Sequence, residues 1–267
     1  MTTAQRLPLS SELGGRSAVL PLDASIEYIR RHLWRVLPIY VVAIVPTSAV
    51  MLIIVDAVSS QHRSALRGAC GLLTLASVWR WVFVAAVQRR VQEDLRGEPS
   101  HRLRANLHAI LLLRLWACAA MLWGGLLIVP AFYGLFLSGF AAPAILESKA
   151  SAWSHAKEVL ALIHKSAARL GRASFALAVT IIVALISTMA LHGLLVHQFL
   201  PGLLGLDAAD LALTVQSVTW MICVAYFLFL VFDFYWAVGS VFLFYDLQAR
   251  RLGTDLRMRL RGLEAAE

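Results

Sequence analysis

The sequence predicts an all-α fold, a polytopic membrane helix bundle of about six transmembrane helices with two cytoplasmic amphipathic helices. Three observations predict it. The 267 residues are 60% hydrophobic and only 15% charged, with mean hydropathy +0.73, whereas a soluble domain carries roughly 25% charge. Apolar runs recur at the length of a bilayer crossing, since about 20 residues at ~1.5 Å each match a hydrocarbon core of ~30 Å. The 24 Lys and Arg residues fall in bunches between those runs.

The bunches set the threading. Five precede the first run (Arg6, Arg16, Arg30, Arg31, Arg35) and five lie between Gln88 and Asn106 (Arg89, Arg90, Arg96, Arg102, Arg104). Five more follow Glu147 (Lys149, Lys157, Lys165, Arg169, Arg172), and five close the chain (Arg250, Arg251, Arg257, Arg259, Arg261). Arg63 and Arg67 alone occupy a connection of the other parity. The positive-inside rule then predicts both termini in the cytoplasm. An anionic inner leaflet accounts for the net charge of +8 without nucleic acid as a partner.

Residues 1–22, with Ser10, Ser11, Gly14 and Gly15, read as a flexible tail ahead of a single membrane domain over 23–263. From Asp23 the spacing predicts an interfacial helix, with Ile26, Ile29, Leu33 and Leu37 on one side and Arg30, Arg31 and Arg35 on the other. It leads into a first span over 37–58, which Pro46 should kink. This first apolar run reads as a retained helix rather than a cleaved signal. The second span, 65–87, continues as helix toward Arg96, and Gly97-Glu98-Pro99-Ser100 breaks it, with Ser100 able to cap the next helix.

The third span is expected over 108–129, a tight turn over Pro130 to Gly134, and a short fourth span over 131–146. A single helix through Leu111–Leu146 would put two basic bunches on opposite membrane faces, so a hairpin is preferred, fully spanning or re-entrant. Over Ser151–Arg172 a second amphipathic helix is predicted. Trp153, Ala156, Leu160, Ile163, Ala167 and Leu170 form its stripe, with Lys157, Lys165 and Arg169 off it. It would lie on lipid, pack on the bundle, or offer a surface to a partner helix. The fifth span is placed over 174–196, followed by an outer loop with Pro201, Gly202, Gly205, Asp207 and Asp210. The last run, Leu211–Tyr245, is about 50 Å long if wholly helical, so only 221–244 is taken to cross. The basic segment 246–267 returns to the cytoplasm.

Charges inside spans cost roughly 2.5–3.5 kcal/mol each to insert, which makes Arg80, Arg114 and Asp233 the candidate intramembrane polar site. Counted from the cytoplasmic ends they lie ~12, ~9 and ~16 Å deep, so Arg80 and Asp233 are expected to pair. Snorkelling to the headgroups is the plainer reading of Arg114 and an alternative for Arg80. A substrate or proton pathway is the third, although Asp233 stands alone as a carboxylate.

Cys70, Cys118 and Cys223 lie in apolar runs without CxxC spacing and read as small core residues. His192 and His197 share no helix face cleanly, and His155 and Glu158 fall on the polar side of the amphipathic helix. With no HExxH, GxSxG, Walker loop or GxGxxG, neither a metal, a cofactor nor an enzymatic activity is expected. Gly68 and Gly71, Gly124 and Gly125, and Ser138, Gly139, Ala141 and Ala142 read as close helix packing. Trp34, Trp79, Trp81, Trp123, Tyr133 and Tyr245 read as interface or packing aromatics.

The closing segment is distinctive: Tyr245-Asp246-Leu247-Gln248-Ala249-Arg250-Arg251-Leu252-Gly253-Thr254-Asp255-Leu256. It resembles the segment that closes the last helix in a family of bacterial six-helix membrane proteins, named for the membrane domain of some glycerophosphoryl diester phosphodiesterases. Pro46, the break at Gly97–Ser100, Pro130, and Glu147 ahead of an amphipathic helix agree with it, so the resemblance spans about Ser25 to Leu263. Gln248 stands where arginine is usual, Leu252 where glutamate is, and Ala131 where glycine follows the proline. The inner helix lacks the family's arginine-serine pair. The resemblance implies a multi-pass domain of the bacterial inner membrane that assists envelope or lipid processes. Phosphodiester hydrolysis belongs to a separate metal-binding barrel, for which this chain has no room.

Glu147, Tyr245, Asp246, Arg250 and Arg251 form the candidate cytoplasmic-face cluster. Tyr245 would sit among the headgroups, and the arginines would hold the helix end on anionic lipid at ~1 kcal/mol each while opposing the helix dipole. Glu147 is expected to pair with Arg250 or Arg251. The favoured function is a scaffold or accessory subunit in envelope or lipid handling, with membrane lipids and other membrane proteins as partners. The alternative is a small transporter or lipid-translocating protein, its polar groove near Arg80, Arg114 and Asp233 and its helices broken at Pro46, Pro130 and Pro143.

Overall fold

The computed structural model describes residues 20–59, 63–97, 103–124, 128–147, 152–194 and 218–264. These hold seven helices and no strand: α1 Leu20–Ser59, α2 Arg63–Arg96, α3 Leu103–Gly124, α4 Ile128–Glu147, α5 Ala152–Lys165, α6 Ala167–Leu194 and α7 Val218–Glu264. The expected tail through residue 19, the cap at Ser100, the loop with Pro201 to Asp210, and the turns over 211–217 lie outside the described residues. Four helices are long and apolar enough to cross a membrane, over Pro21–Ala57, Gly71–Arg96, Ala167–Thr188 and Ile222–Arg251. α3 and α4 carry shorter apolar stretches, Asn106–Met121 and Phe132–Glu147. Among the described residues the protein is all-helical, with four helices of membrane-crossing length and hydropathy.

Packing divides it into two units, one of Met1–Ala43, Trp81–Ala173 and Tyr235–Glu267, the other of Ile44–Arg80 and Ser174–Phe234. The second unit turns large apolar side chains outward, among them Leu52, Leu75, Phe175, Ile182, Ile186 and Phe227. So many large apolar side chains facing outward are a liability in water and natural against lipid tails.

The first unit is built on the α3–α4 hairpin. Its core joins Ile110, Leu113 and Ala117 of α3 to Phe136, Phe140 and Ile145 of α4, with Ala85, Leu162, Ile163 and Leu243 closing round them. Aromatic rings tie α4 to α7: Phe136 meets Trp236 at 5.4 Å and Phe140 meets Phe244 at 5.7 Å between centroids. Glycine sets both approaches. A Cβ on Gly139 would come 2.9 Å from the Ser240 Cβ and 3.0 Å from the Trp236 ring, and one on Gly134 would meet the Ala117 carbonyl at 2.7 Å. In contrast, a Cβ on Gly68 or Gly71 would find nothing within 4 Å. The expectation of close packing is therefore corrected at those two positions and holds at Gly139.

Local chemistry explains the helix ends. α2 stops where Gly97 takes a left-handed φ of +69 and its N–H bonds back to the Glu93 carbonyl at 2.9 Å, the glycine cap expected of a helix C-terminus. The turn expected over Pro130–Gly134 is helical instead, because α4 already begins at Ile128. Pro130 occupies the first turn, where a backbone N–H has no helical acceptor to lose. The amphipathic segment expected over 151–172 is two helices, with α5 ending at Lys165 and α6 beginning at Ala167. Arg169 and Arg172 thus belong to α6. On α5 the buried residues are His155, Ala156, Val159, Leu162 and Ile163, whereas Trp153 and Leu160 are exposed.

The N-terminal stripe is also corrected. α1 has a non-helical residue at His32 (φ −120, ψ 16), and before it the buried face is Leu22, Ser25 and Tyr28, with Ile26 turned out. Two bonds to other helices hold that face inward. The Tyr235 hydroxyl donates to the Leu22 carbonyl at 3.2 Å, and the Tyr28 hydroxyl donates to Asp94 at 2.9 Å. The Ser25 hydroxyl satisfies itself on the Leu22 carbonyl at 2.6 Å.

Candidate functional site

The polar residues gather in three places. The first lies between α2, α3, α4 and α7. Arg114, 3% exposed, donates to the Trp81 carbonyl and to Gln88 Oε1 at 2.6 Å. Gln88 Nε2 in turn donates to the Gly139 carbonyl and to Ser240 Oγ, each at 2.9 Å. A proline at position 143 removes the N–H that would bond the carbonyl four residues earlier, which is Gly139. Gln88 thus replaces the missing helical donor, and Arg114 anchors Gln88. The expectation that Arg114 snorkels to the headgroups is overturned. A buried acceptor left empty costs more than the desolvation shared among well-bonded partners.

The second place is the end of the first unit that carries Arg96, Glu147 and the closing segment. Asp246 has a side chain 2% exposed, with Arg169 Nη2 at 3.0 Å and Arg250 Nε at 3.1 Å. Glu147 accepts a hydrogen bond from Gln248 Nε2 at 2.6 Å, and Arg96 stands 3.9 Å away. The expected pairing of Glu147 with Arg250 or Arg251 is therefore corrected. Asp246 takes Arg250 because the two are one helical turn apart on α7, and Gln248 is left to face α4. Tyr245 is half-buried against Phe244, with Gln92, Arg96 and Glu147 among the groups around its hydroxyl. Arg251 is exposed.

The third place is in the second unit. Arg80 Nη1 lies 3.6 Å from Asp233 Oδ2, the side chains 15% and 16% exposed, and its guanidinium sits 4.9 Å above the Phe229 ring. Asp233 and Phe229 are one turn apart on α7, so one face of that helix grips the arginine by charge and by ring quadrupole. Of the three intramembrane charges the structure brings Arg80 and Asp233 together, while Arg114 belongs to the first unit with other partners. His155, expected on a polar face, is 1% exposed.

Gln88, Gln92, Ser240, Arg169 and Gln248 escape the sequence reading. Gln88 and Gln92 lie in a stretch with Arg89, Arg90, Glu93 and Asp94 that reads as a solvated extension. A signal is nevertheless present. Val84, Ala85, Gln88, Val91 and Gln92 repeat at three and four, and all five are buried. Among the described residues no set of three or more His, Cys, Asp and Glu gathers as a metal site would. No family model matches the chain, and neither a curated protein nor a solved structure does.

Proposed function

We propose that the chain is a non-enzymatic, six-span protein of the bacterial inner membrane with both termini cytoplasmic. It acts as a scaffold or accessory subunit in envelope or lipid handling, in the manner implied by the resemblance of its closing segment. One observation carries this reading: the candidate polar residues brace helix to helix. Arg114 and Gln88 join α3, α2 and α4, Asp246 and Arg169 join α7 and α6, and Gln248 and Glu147 join α7 and α4. Groups so engaged define one packing rather than wait for a reactant.

Six spans draw support from length. α3 has 22 residues and α4 has 20, or about 30 Å each, enough for one crossing. Lipid contact on the cytoplasmic side draws support from Trp34, 81% exposed beside Arg30, Arg31 and Arg35, and from Lys157, whose ammonium lies 5.5 Å over the Trp153 ring. Purification of the tagged chain in mild detergent, with identification of co-purifying proteins, tests the reading. One membrane protein in constant ratio, photocrosslinked to a defined face of the chain, is the expected result. Recovery of the folded chain alone would overturn it.

A second reading, transport or lipid translocation, is favoured by the Arg80–Asp233 pair. Its 3.6 Å gap is wide for an ion pair in an apolar segment, and Arg80 Nε is buried without a hydrogen-bond partner. Flux of lipid or solute in proteoliposomes that vanishes in Asp233→Asn would establish it.

A further inference from the structure

The two flanks of α5 face different surroundings. On one, Trp153, Lys157 and Leu160 border an apolar groove with Leu112 and Trp116 of α3. On the other, Glu158 and Leu162 border a cavity of about 120 Å³ completed by Glu147 of α4 and by Phe244, Gln248 and Arg251 of α7. Phe244 and Leu162 are buried and give it an apolar floor, while its rim carries charge of both signs. Gln248 fixes the Glu147 carboxylate on the wall at 2.6 Å. Glu158 has a side chain 68% exposed and stands 3.9 Å from His155. Arg251 has no ion-pair partner among the described residues.

Opposite charges around one small space usually close on each other. Here Arg251 pairs with neither carboxylate, while Glu147 has Arg96 at 3.9 Å from outside the cavity, and the gap has the volume of roughly four waters at ~30 Å³ each. We propose that this cavity binds a zwitterionic phosphoethanolamine headgroup, its phosphate on Arg251 and its ammonium on the carboxylates of Glu158 and Glu147. Arginine matches phosphate oxygens with two parallel donors, and a primary ammonium brings three donors to acceptor-only carboxylates. Phosphocholine has no N–H to give and is recognised by aromatic cages, of which Phe244 supplies a single wall. An anionic phosphoglycerol headgroup would meet two carboxylates, and a simple cation would meet Arg251, so each wall rejects what the other accepts. All the lining residues lie in the first unit and no partner protein is needed, so the site stands or falls apart from the scaffold reading.

The headgroup has two possible sources, a bilayer phospholipid or soluble phosphoethanolamine. Native mass spectrometry of the full chain, released from nanodiscs holding equal phosphatidylethanolamine, phosphatidylcholine and phosphatidylglycerol, tests the site. Phosphatidylethanolamine adducts should exceed each of the others by about tenfold, which a pair of charge-assisted contacts supports. Arg251→Gln and Glu158→Gln should each bring the ratio close to one. Both side chains are exposed, so folding is retained and is checked by circular dichroism. Lys157→Gln, on the opposite flank of α5, should leave the ratio unchanged. Displacement of the lipid adduct by millimolar soluble phosphoethanolamine assigns the site to the free headgroup, and retention of the adduct assigns it to the bilayer lipid. Equal retention of the three lipids by the unaltered chain, or a preference that both rim variants leave intact, overturns the proposal.

Discussion

Gln88 gives its amide hydrogen to the carbonyl of Gly139 at 2.9 Å, the carbonyl that Pro143 deprives of a helical donor. A side chain on α2 thereby repairs the backbone of α4, and a proline that would be costly inside an isolated helix becomes tolerable. Gln88→Leu should leave this buried carbonyl without its donor and destabilise the fold by about 1–3 kcal/mol. Pro143→Ala restores the N–H of residue 143 and should recover much of that loss in the double variant. Thermal unfolding in detergent across the four combinations reads the coupling, and additive losses would show that the two positions are independent.

Asp246 supplies a ranking rather than a single value. Its side chain is 2% exposed between Arg169, 15% exposed, and Arg250, 35% exposed. Asp246→Ala strands a buried guanidinium and should cost about 3–5 kcal/mol. Arg250→Gln removes a half-solvated partner and should cost no more than ~1 kcal/mol. Denaturation midpoints that place Arg250→Gln at or above Asp246→Ala would contradict the burial assigned to this carboxylate.

Glycine substitutions separate crowded from open positions. Gly139→Val forces atoms against Ser240 and Trp236, where even a Cβ comes within 3.0 Å, so a loss of about 1–3 kcal/mol is expected. Gly71→Ala meets nothing within 4 Å and should be neutral or stabilising by a few tenths up to ~1 kcal/mol, as helix propensity dictates. Both effects are readable as folded yield and midpoint in the same detergent.

The Arg80–Asp233 pair predicts rescue. Either single reversal, Arg80→Asp or Asp233→Arg, places two like charges in an apolar segment and should reduce insertion and folded yield. The double reversal should restore most of it, with a coupling of roughly 0.5–3 kcal/mol. Well-expressed variants that show no rescue would mean that the two charges act separately.

The long helices are legible in the sequence because an apolar run bounded by charge has few other solutions, and the end of α2 is legible because Gly97 takes a conformation that other residues avoid. What escapes is decided across helices. Nothing near Gln88 in the chain reveals that Pro143, 55 positions later, leaves a carbonyl for it. Ser25 and Tyr28 are preferred to Ile26 on the buried face of α1 because Asp94, Gly239 and Phe242 meet them there. Pairing follows the same logic: the Arg80–Asp233 approach could be anticipated from depth along two helices, whereas Glu147 meets Gln248 rather than Arg250 or Arg251 through the rotational setting of α7. Hydropathy carries no record of that rotation.

The irregular residue at His32 has a consequence for the order of assembly. Residues 20–31 are made well before the partner they dock on, since Leu22 waits for Tyr235, 213 residues downstream. At roughly 5–20 residues per second that partner follows about 10–40 s later. Because the helical path is interrupted at one residue, the stretch after His32 can enter the bilayer while the stretch before it remains undocked. A segment made early is thus fastened late, because its partner on α7 must be in place before the Leu22 carbonyl can be bonded.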